Sequence, residues 1–175
     1  MTEFICSWDK TALIITILTI VIVAVVSVAL IVRLTGRYKL KGKNHGLVLS
    51  ILIIAYLLPV ILILPFLYMP TKISVDDKNL IVNQIKGKIE IPINEILEIR
   101  AIKTGDLSNN IRTFGSGGLF GYLGKFENPQ FGNYQMYVVN KKNLFVLKTQ
   151  NGKIYVFSCK NPEKLIQVIN NQIFN

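Results

Sequence analysis

Two long apolar runs occupy most of the first seventy residues of the chain. Neither residues 11–32 nor residues 46–71 contain a charged side chain, and each run exceeds the eighteen or so residues that indicate a membrane-spanning helix. We predict spans at residues 12–32 and 47–68, each long enough as a helix to match the roughly 30 Å of hydrocarbon in a bilayer. The pattern predicts a hairpin of two transmembrane helices after a tail at residues 1–11.

The two runs differ from other segments that apolar sequence can form. A cleaved signal peptide has an apolar core of about 7–15 residues followed by small residues, whereas the first run is longer and lacks that pattern. Pro59 and Pro65 predict a kink and a loosened last turn in the second span, which packing against the first would tolerate. Neither run contains an ionisable residue of the kind that marks an ion pathway. We therefore expect a retained anchor.

Beyond Met69 the pattern changes to short alternating segments separated by turn residues, which is typical of an antiparallel sheet. Seven segments have the alternation or the β-branched and aromatic content of strands. They are residues 73–75, 80–82, 88–91, 97–103, 136–139, 144–149 and 153–158. The dipeptide Asn151-Gly152, between the last two segments, indicates a two-residue hairpin turn.

A single amphipathic helix is predicted to close the domain. Asn161, Pro162 and Glu163 supply an N-cap residue, a proline at the first helical position and an acid in the first turn. Four apolar residues then recur at helical spacing: Leu165, Val168, Ile169 and Ile173. This stripe should pack on the sheet. Residues 70–175 are therefore expected to form an α+β, mainly antiparallel domain of about seven strands and a C-terminal helix.

Two stretches of this domain carry an arginine, a glycine-rich aromatic segment and a helix that begins at a proline. They are IRTFGSGGLFGYLGKFENPQFGNYQMYVVN at residues 111–140 and VLKTQNGKIYVFSCKNPEKLIQVI at residues 146–169. Together with the two preceding spans, they resemble the bacterial membrane proteins that contain a pleckstrin-homology (PH) domain. The resemblance implies a PH-like domain over residues 70–175, which is a small, strongly bent sheet capped at one open end by a helix.

A glycine-rich segment lies between the fourth and fifth predicted strands, at residues 104–133. We expect an ordered connection, because its aromatic residues supply surface to bury and long connections in compact domains are usually functional. Phe126 after Gly124-Lys125 excludes a nucleotide-binding phosphate loop, and Phe120 stands where a dinucleotide fingerprint requires its last glycine. The glycines are expected to permit positive φ angles and close backbone approach. A ligand site is the alternative.

The resemblance makes this segment the best candidate for a binding surface, because it is the signature of the group. The candidate binding residues are Arg112, Phe114, Gly115, Gly117, Gly118, Phe120, Gly121, Tyr122 and Gly124. Eukaryotic PH domains bind inositol phosphates through basic residues around the first hairpin, whereas that hairpin carries Asp76 and Asp77 here. Phosphoinositide binding is therefore not expected.

The connection between the spans, residues 33–46, is basic and contains no acid. Its basic residues are Arg33, Arg37, Lys39, Lys41 and Lys43. The positive-inside rule places such a loop in the cytoplasm and the domain outside the bacterial inner membrane, once the basic residues of the long domain are discounted. Of the formal net charge of +10, residues 69–175 contribute +6, with fourteen basic and eight acidic side chains, which suits contact with anionic lipid headgroups. A basic composition spread over a solvated surface is the alternative.

The chain shows no pattern that indicates catalysis, a metal or a cofactor. His45 is the only histidine, which excludes a Ser-His-Asp triad and any two-histidine metal motif. The carboxylates form no recognisable acid–base pair, and Cys6 and Cys159 imply no disulfide framework. Nucleic acid is not an expected partner, because the basic residues do not cluster with stacking aromatics.

These observations predict a membrane-anchored, noncatalytic PH-like module that binds a protein, a peptide or the membrane surface. One alternative is an accessory subunit of a membrane enzyme or transporter, in which the helical hairpin makes the main contact. Another is a small-ligand sensor that uses the glycine-rich segment as a lid. The sequence indicates neither the ligand nor the oligomeric state.

Overall fold

The computed structural model describes residues 2–37 and 45–173 of the chain. Its two longest elements are the helices α1 (Lys10–Arg37) and α2 (His45–Leu67), which overlap both predicted spans. Each is long and apolar enough to cross a membrane, by length and composition, and only 6% of its apolar window is buried within the chain. They are therefore not core helices of the domain that follows.

The second helix, α2, stays helical through both of its prolines, Pro59 and Pro65. A proline inside a helix removes one backbone hydrogen bond and crowds the preceding turn. The neighbouring helix α1 packs along α2, and Ala55 of α2 is 7% exposed. The loosened last turn that the sequence predicts is therefore not observed.

The domain consists of two sheets and a closing helix, α3 (Pro162–Ile173). The first sheet has the order β1-β2-β3-β4 and contains β1 (Thr2–Ile5), β2 (Pro70–Val75), β3 (Asn79–Gln84) and β4 (Lys88–Pro92). The second has the order β5-β9-β10-β8-β7-β6 and contains β5 (Ile96–Ile102), β6 (Ile111–Gly118), β7 (Gly121–Asn128), β8 (Gly132–Val138), β9 (Leu144–Thr149) and β10 (Ile154–Ser158). Paired strands are antiparallel except β8 and β10. The predicted α+β, mainly antiparallel class is confirmed.

The structure has more strands than the seven that the alternation predicts. Seven correspond to those predictions, and β1, β6 and β7 are additional. The prediction of a thirty-residue connection at 104–133 is wrong, because β6 and β7 pair within it as an antiparallel hairpin. Glycine contributes neither an apolar nor a polar side chain, so a glycine-rich strand lacks the alternation by which strands are identified in a sequence.

The N-terminal tail is part of the domain. β1 pairs with β2 over four residues, and the Cys6 N–H donates a hydrogen bond to the Thr71 carbonyl oxygen at 3.0 Å. Phe4 and Cys6 are 5% and 6% exposed, within the main core. The first residues of the predicted tail (1–11) thus contact the predicted domain (70–175) through a strand pair. Both ends of the helix pair lie beside the same domain.

The main core lies between the two sheets and beneath α3. Its largest fully buried side chains are Ile73, Leu80, Phe145, Leu147, Phe157, Leu165 and Ile169. Leu165 and Ile169 belong to α3, so the packing of the predicted apolar stripe on the sheets is confirmed. Burial of each of these two side chains contributes roughly 1.5–3 kcal/mol. The helix thereby fastens the two sheets together.

Both cysteines are free and buried, Cys6 at 6% and Cys159 at 2% exposure. They belong to the same core cluster, and the Lys160 N–H donates to the Ile5 carbonyl oxygen at 3.0 Å beside them. Burial raises the pKa of Cys6 to about 12 and that of Cys159 to about 11. Since the thiolate is the reactive form of cysteine, both thiols are protected from reagents in the folded protein.

Candidate functional site: the glycine-rich hairpin

The hairpin β6–β7 bends at a pair of glycines. Gly115 and Gly124 are cross-strand partners with φ angles of 114° and 120°, which residues with a side chain rarely adopt. A Cβ on Gly115 would lie 2.0 Å from the Leu123 carbonyl oxygen, and one on Gly124 would lie 2.3 Å from the Phe114 carbonyl oxygen. The two backbones approach too closely for a side chain. These glycines have the structural role that the sequence predicts.

The bend brings the side chain of Arg112 over Gly117. A Cβ on Gly117 would lie 2.7 Å from Nη1 of Arg112 and 3.8 Å from its Cδ. In a straight strand five residues span about 16 Å, so this contact requires the bend at Gly115 and the irregular pairing between Arg112 and Phe114. Among the residues that the structure describes, the side chain of Arg112 has no hydrogen-bond or ion-pair partner. Its guanidinium is available to a ligand.

The tip of the hairpin is docked on the helix pair. The Phe120 N–H donates a hydrogen bond to Oγ1 of Thr16 in α1 at 2.9 Å, and the Phe120 ring centroid lies 5.3 Å from that of Phe66 in α2. Trp8 packs edge-on against the same ring at 6.0 Å. Gly118 adjoins Ile15, because a Cβ there would lie 3.0 Å from its Cδ1 atom. The glycine-rich hairpin is therefore a mechanical link between the domain and both helices.

The start of α1 is fixed to the domain at a second point. The Asp9 N–H donates to the Val139 carbonyl oxygen at 3.0 Å, and the Asp9 carboxylate accepts the N–H groups of Ala12 at 2.6 Å and Lys141 at 3.1 Å. The Lys141 side chain turns back over the ring of Tyr122, with Nζ 3.8 Å from the ring centroid. Asp9 thus caps the helix and ties it to the β8–β9 connection.

Outward from the tip, β6 is exposed on both faces. It is the last strand of its sheet, so one edge of its backbone has no strand partner among the described residues. Ile111 and Phe114 are 65% and 73% exposed. Natural proteins seldom leave an apolar edge strand open, because it templates pairing with another chain. This half of the hairpin has the character of a binding surface.

The candidate residues from the sequence therefore separate into two groups. Arg112, Phe114, Gly115 and Gly117 lie on the exposed strand β6. The others line the tip, the bend or the buried side of β7: Gly118, Phe120, Gly121, Tyr122 and Gly124. Of the predicted basic loop, Arg33 is exposed on α1 and Arg37 is the last residue of that helix. Three further basic residues lie outside the described part of the chain: Lys39, Lys41 and Lys43.

Sequence reasoning missed the residues that connect the hairpin to the helices, namely Trp8, Asp9, Thr16 and Lys141. An aspartate directly before an apolar helix is an N-cap signal, so the capping role of Asp9 could have been predicted from the sequence. Its contact with Lys141 joins positions 132 residues apart and has no sequence signal. The same holds for the hydrogen bond between Thr16 and Phe120.

The cavities of the domain lie away from the tip of this hairpin. A shallow cavity of about 720 Å³ is lined by the β2–β3 turn, the segment after β4 and the end of α3, including Asp77, Ile93 and Gln172. A smaller one of about 360 Å³ adjoins the base of the hairpin at Thr113 and Lys125. Within the described residues, no group of three His, Cys, Asp or Glu side chains is placed to hold a metal ion.

Comparison with known proteins gives one match. A family model described as Bacterial PH domain matches residues 71–173, which is more than half of the chain. No curated protein and no solved structure matches the chain.

Proposed function

Because the chain belongs to the Bacterial PH domain family, we propose that it is a noncatalytic binding module that two helices anchor in the membrane. PH domains in general bind proteins or lipids. The observation that carries the proposal is the open edge of β6, where Ile111 and Phe114 are exposed beside unpaired backbone groups. The surface fits an extended segment of a protein partner, which would add a strand to the sheet and bury both side chains.

The helix pair supports this role by holding the edge strand at a fixed position. The hairpin tip contacts α1 through Thr16 and α2 through Phe66, while Asp9 attaches the start of α1 to the domain. With three attachment points, two on α1 and one on α2, the domain cannot swing freely about the membrane. A partner in the same membrane would meet β6 in one orientation, which lowers the entropy lost on binding.

Binding through β6 is tested by photo-crosslinking in cells from a reactive analogue placed at position 111, which is exposed on the same strand. The full chain should capture a protein partner, and Phe114→Ser should weaken the recovered complex by about thirtyfold, as loss of a buried aromatic anchor costs roughly 2 kcal/mol. Leu97→Ser is the matched control, because Leu97 is 62% exposed on β5, at the other edge of the same sheet. An unchanged complex after Phe114→Ser, or equal loss after Leu97→Ser, would refute the β6 edge as the binding surface.

We further propose that the loop between the helices faces the cytoplasm and that the domain lies outside. The support is the positive-inside rule applied to the five basic residues of the 33–46 connection, which contains no acid. The pairing of β1 with β2 supports an arrangement in which residues 2–9 and the domain share one side of the membrane, as a two-span hairpin requires. The cell envelope of a bacterium is the corresponding location.

Thiol labelling tests this orientation, because the two native cysteines are buried and do not react with a maleimide in the folded protein. With the pKa of Cys6 raised from 9.0 to about 12, its thiolate fraction near pH 8 falls about a thousandfold. In intact cells an impermeant maleimide should therefore leave the native chain unlabelled and modify a Lys153→Cys variant, whose position is exposed in the β9–β10 turn. A Lys41→Cys variant should react only after permeabilisation. The reverse pattern would place the domain in the cytoplasm.

A further inference from the structure

Two cationic side chains converge on one face of the hairpin beside its docked tip. The Arg112 guanidinium lies against Gly117, and Gly117 is the cross-strand partner of Tyr122. Cross-strand partners share a face of the sheet with Cβ positions about 5 Å apart. The Lys141 ammonium lies 3.8 Å from the centroid of the Tyr122 ring. Arg112 and Lys141 therefore lie on the same face of the hairpin, Arg112 at Gly117 and Lys141 at Tyr122.

The positive charge at this place exceeds the negative charge. Neither Arg112 nor Lys141 belongs to an ion pair among the described residues. The carboxylate of Asp9 is close to the Lys141 backbone, but its two oxygens accept the N–H groups of Ala12 and Lys141. The Asp9 carboxylate, next to Lys141, is thus already hydrogen-bonded, and the positive charges of Arg112 and Lys141 leave a site for an anion. Arginine and lysine next to an aromatic ring suit a phosphate, which accepts several charge-assisted hydrogen bonds.

The position of the site relative to the membrane indicates which kind of phosphate it binds. Gly118, the neighbour of Gly117, adjoins Ile15, and Phe120 is hydrogen-bonded to Thr16. Ile15 and Thr16 lie in the first turn of the span predicted at residues 12–32, whereas Asp9, whose carboxylate accepts the Lys141 N–H, lies three residues before that span, about 4.5 Å along the helix axis. The headgroup layer of a bilayer is roughly 5–8 Å thick on each side of the hydrocarbon. A helix that enters the membrane here therefore leaves the hairpin tip at the edge of the hydrocarbon and places Lys141, with Arg112 farther from the tip, at the level of lipid phosphates.

We propose that Arg112 and Lys141 together bind the phosphate of an anionic membrane lipid. This inference rests on the proposed membrane anchoring but is independent of the protein partner at Phe114. The bound lipid would hold the outer strand of the hairpin at the membrane surface through Arg112, while Phe120 holds the tip at the helices. The site uses the β6–β7 hairpin and the β8–β9 connection, and leaves the acidic first hairpin with Asp76 and Asp77 unused.

The test titrates the detergent-solubilised full chain with short-chain phosphatidylglycerol and follows the fluorescence of Trp8, the only tryptophan, which packs on Phe120. Bound lipids are counted in parallel by native mass spectrometry. The wild-type chain should bind one phosphatidylglycerol saturably. Arg112→Gln and Lys141→Gln should each weaken binding roughly fivefold and together about twenty-five-fold, because a basic residue at the membrane surface contributes on the order of that factor.

Lys153→Gln is the charge-matched control and should leave the affinity unchanged. Lys153 lies in the turn that follows β9, whereas Lys141 lies before the start of that strand. Phe114→Ser should also leave it unchanged, which separates this site from the protein-binding surface. Equal binding by the double variant would overturn the assignment of the site. Equal binding of phosphatidylcholine, or of inorganic phosphate that the lipid cannot displace, would overturn the assignment to an anionic lipid.

Discussion

Replacing Gly124 by alanine is expected to lower the melting temperature of the full chain in detergent by about 10 °C. The residue has a φ of 120°, and a Cβ there would lie 2.3 Å from the Phe114 carbonyl oxygen. Strain in that region costs roughly 1–3 kcal/mol, and relief of the clash breaks ladder hydrogen bonds of about 1 kcal/mol each. In a chain of this size each kcal/mol shifts the melting temperature by about 2–4 °C.

The effect of Gly124→Ala on the hairpin should be detectable at temperatures below those of global unfolding. A hairpin that cannot bend between Gly115 and Gly124 cannot bring Phe120 onto Trp8 and Phe66. The fluorescence of Trp8 should therefore shift at temperatures where circular dichroism still shows intact sheets. Gly115→Ala should reproduce both effects, because it is the cross-strand partner with the same kind of clash.

Gly87→Ala provides the matched control for this prediction. No heavy atom lies within 4 Å of a Cβ at Gly87, and its φ is not in the positive range. A surface change of this kind usually alters the free energy of unfolding by less than about 0.5 kcal/mol, so the melting temperature should move by no more than about 2 °C. Equal destabilisation by Gly87→Ala and Gly124→Ala would show that the hairpin bend is not essential to stability.

The sequence predicts those parts of the fold that have a local periodic signal. Strands with alternating side chains, such as 97–103, and the capped helix after Asn161 are examples, because burial of one face dictates the pattern. The hairpin β6–β7 has no such signal. Its two central glycines carry no side chain, and their positive φ angles make the strands bend. The sequence of this segment therefore resembles that of a loop, although the segment forms paired strands.

The candidate site was predictable in chemistry but not in arrangement. An arginine among glycines and aromatics indicates a surface with a cation and close backbone approach, and Arg112 does lie over Gly117. Its companion Lys141 is one lysine among many, and nothing local distinguishes it. The two lie on one face of the hairpin only because the hairpin bends at Gly115 and because Asp9 is hydrogen-bonded to the β8–β9 connection. Long-range contacts of this kind depend on the whole fold.

Residues 2–8 should decide whether the domain folds without its helices. We expect a fragment of residues 69–175 to aggregate or unfold, whereas residues 2–8 joined to 69–175 by a flexible linker of about six residues should fold cooperatively. Such a linker is long enough, because the Cys6 N–H already bonds to the Thr71 carbonyl oxygen at 3.0 Å and each residue spans up to about 3.5 Å. Urea unfolding followed by circular dichroism compares the two proteins.

The physical reason is the place of β1 in the first sheet. Without it the backbone edge of β2 is open, and the core loses Phe4, which is 5% exposed. Truncation of a buried phenylalanine alone costs about 3–5 kcal/mol, against a total stability of roughly 5–15 kcal/mol for a domain. A linked protein carrying Phe4→Ser should therefore behave like the fragment. If the fragment of residues 69–175 unfolds at the same urea concentration as the linked protein, β1 is dispensable. Otherwise the domain extends beyond the family match at residues 71–173, and the helix pair is an insertion between the first and second strands of its sheet.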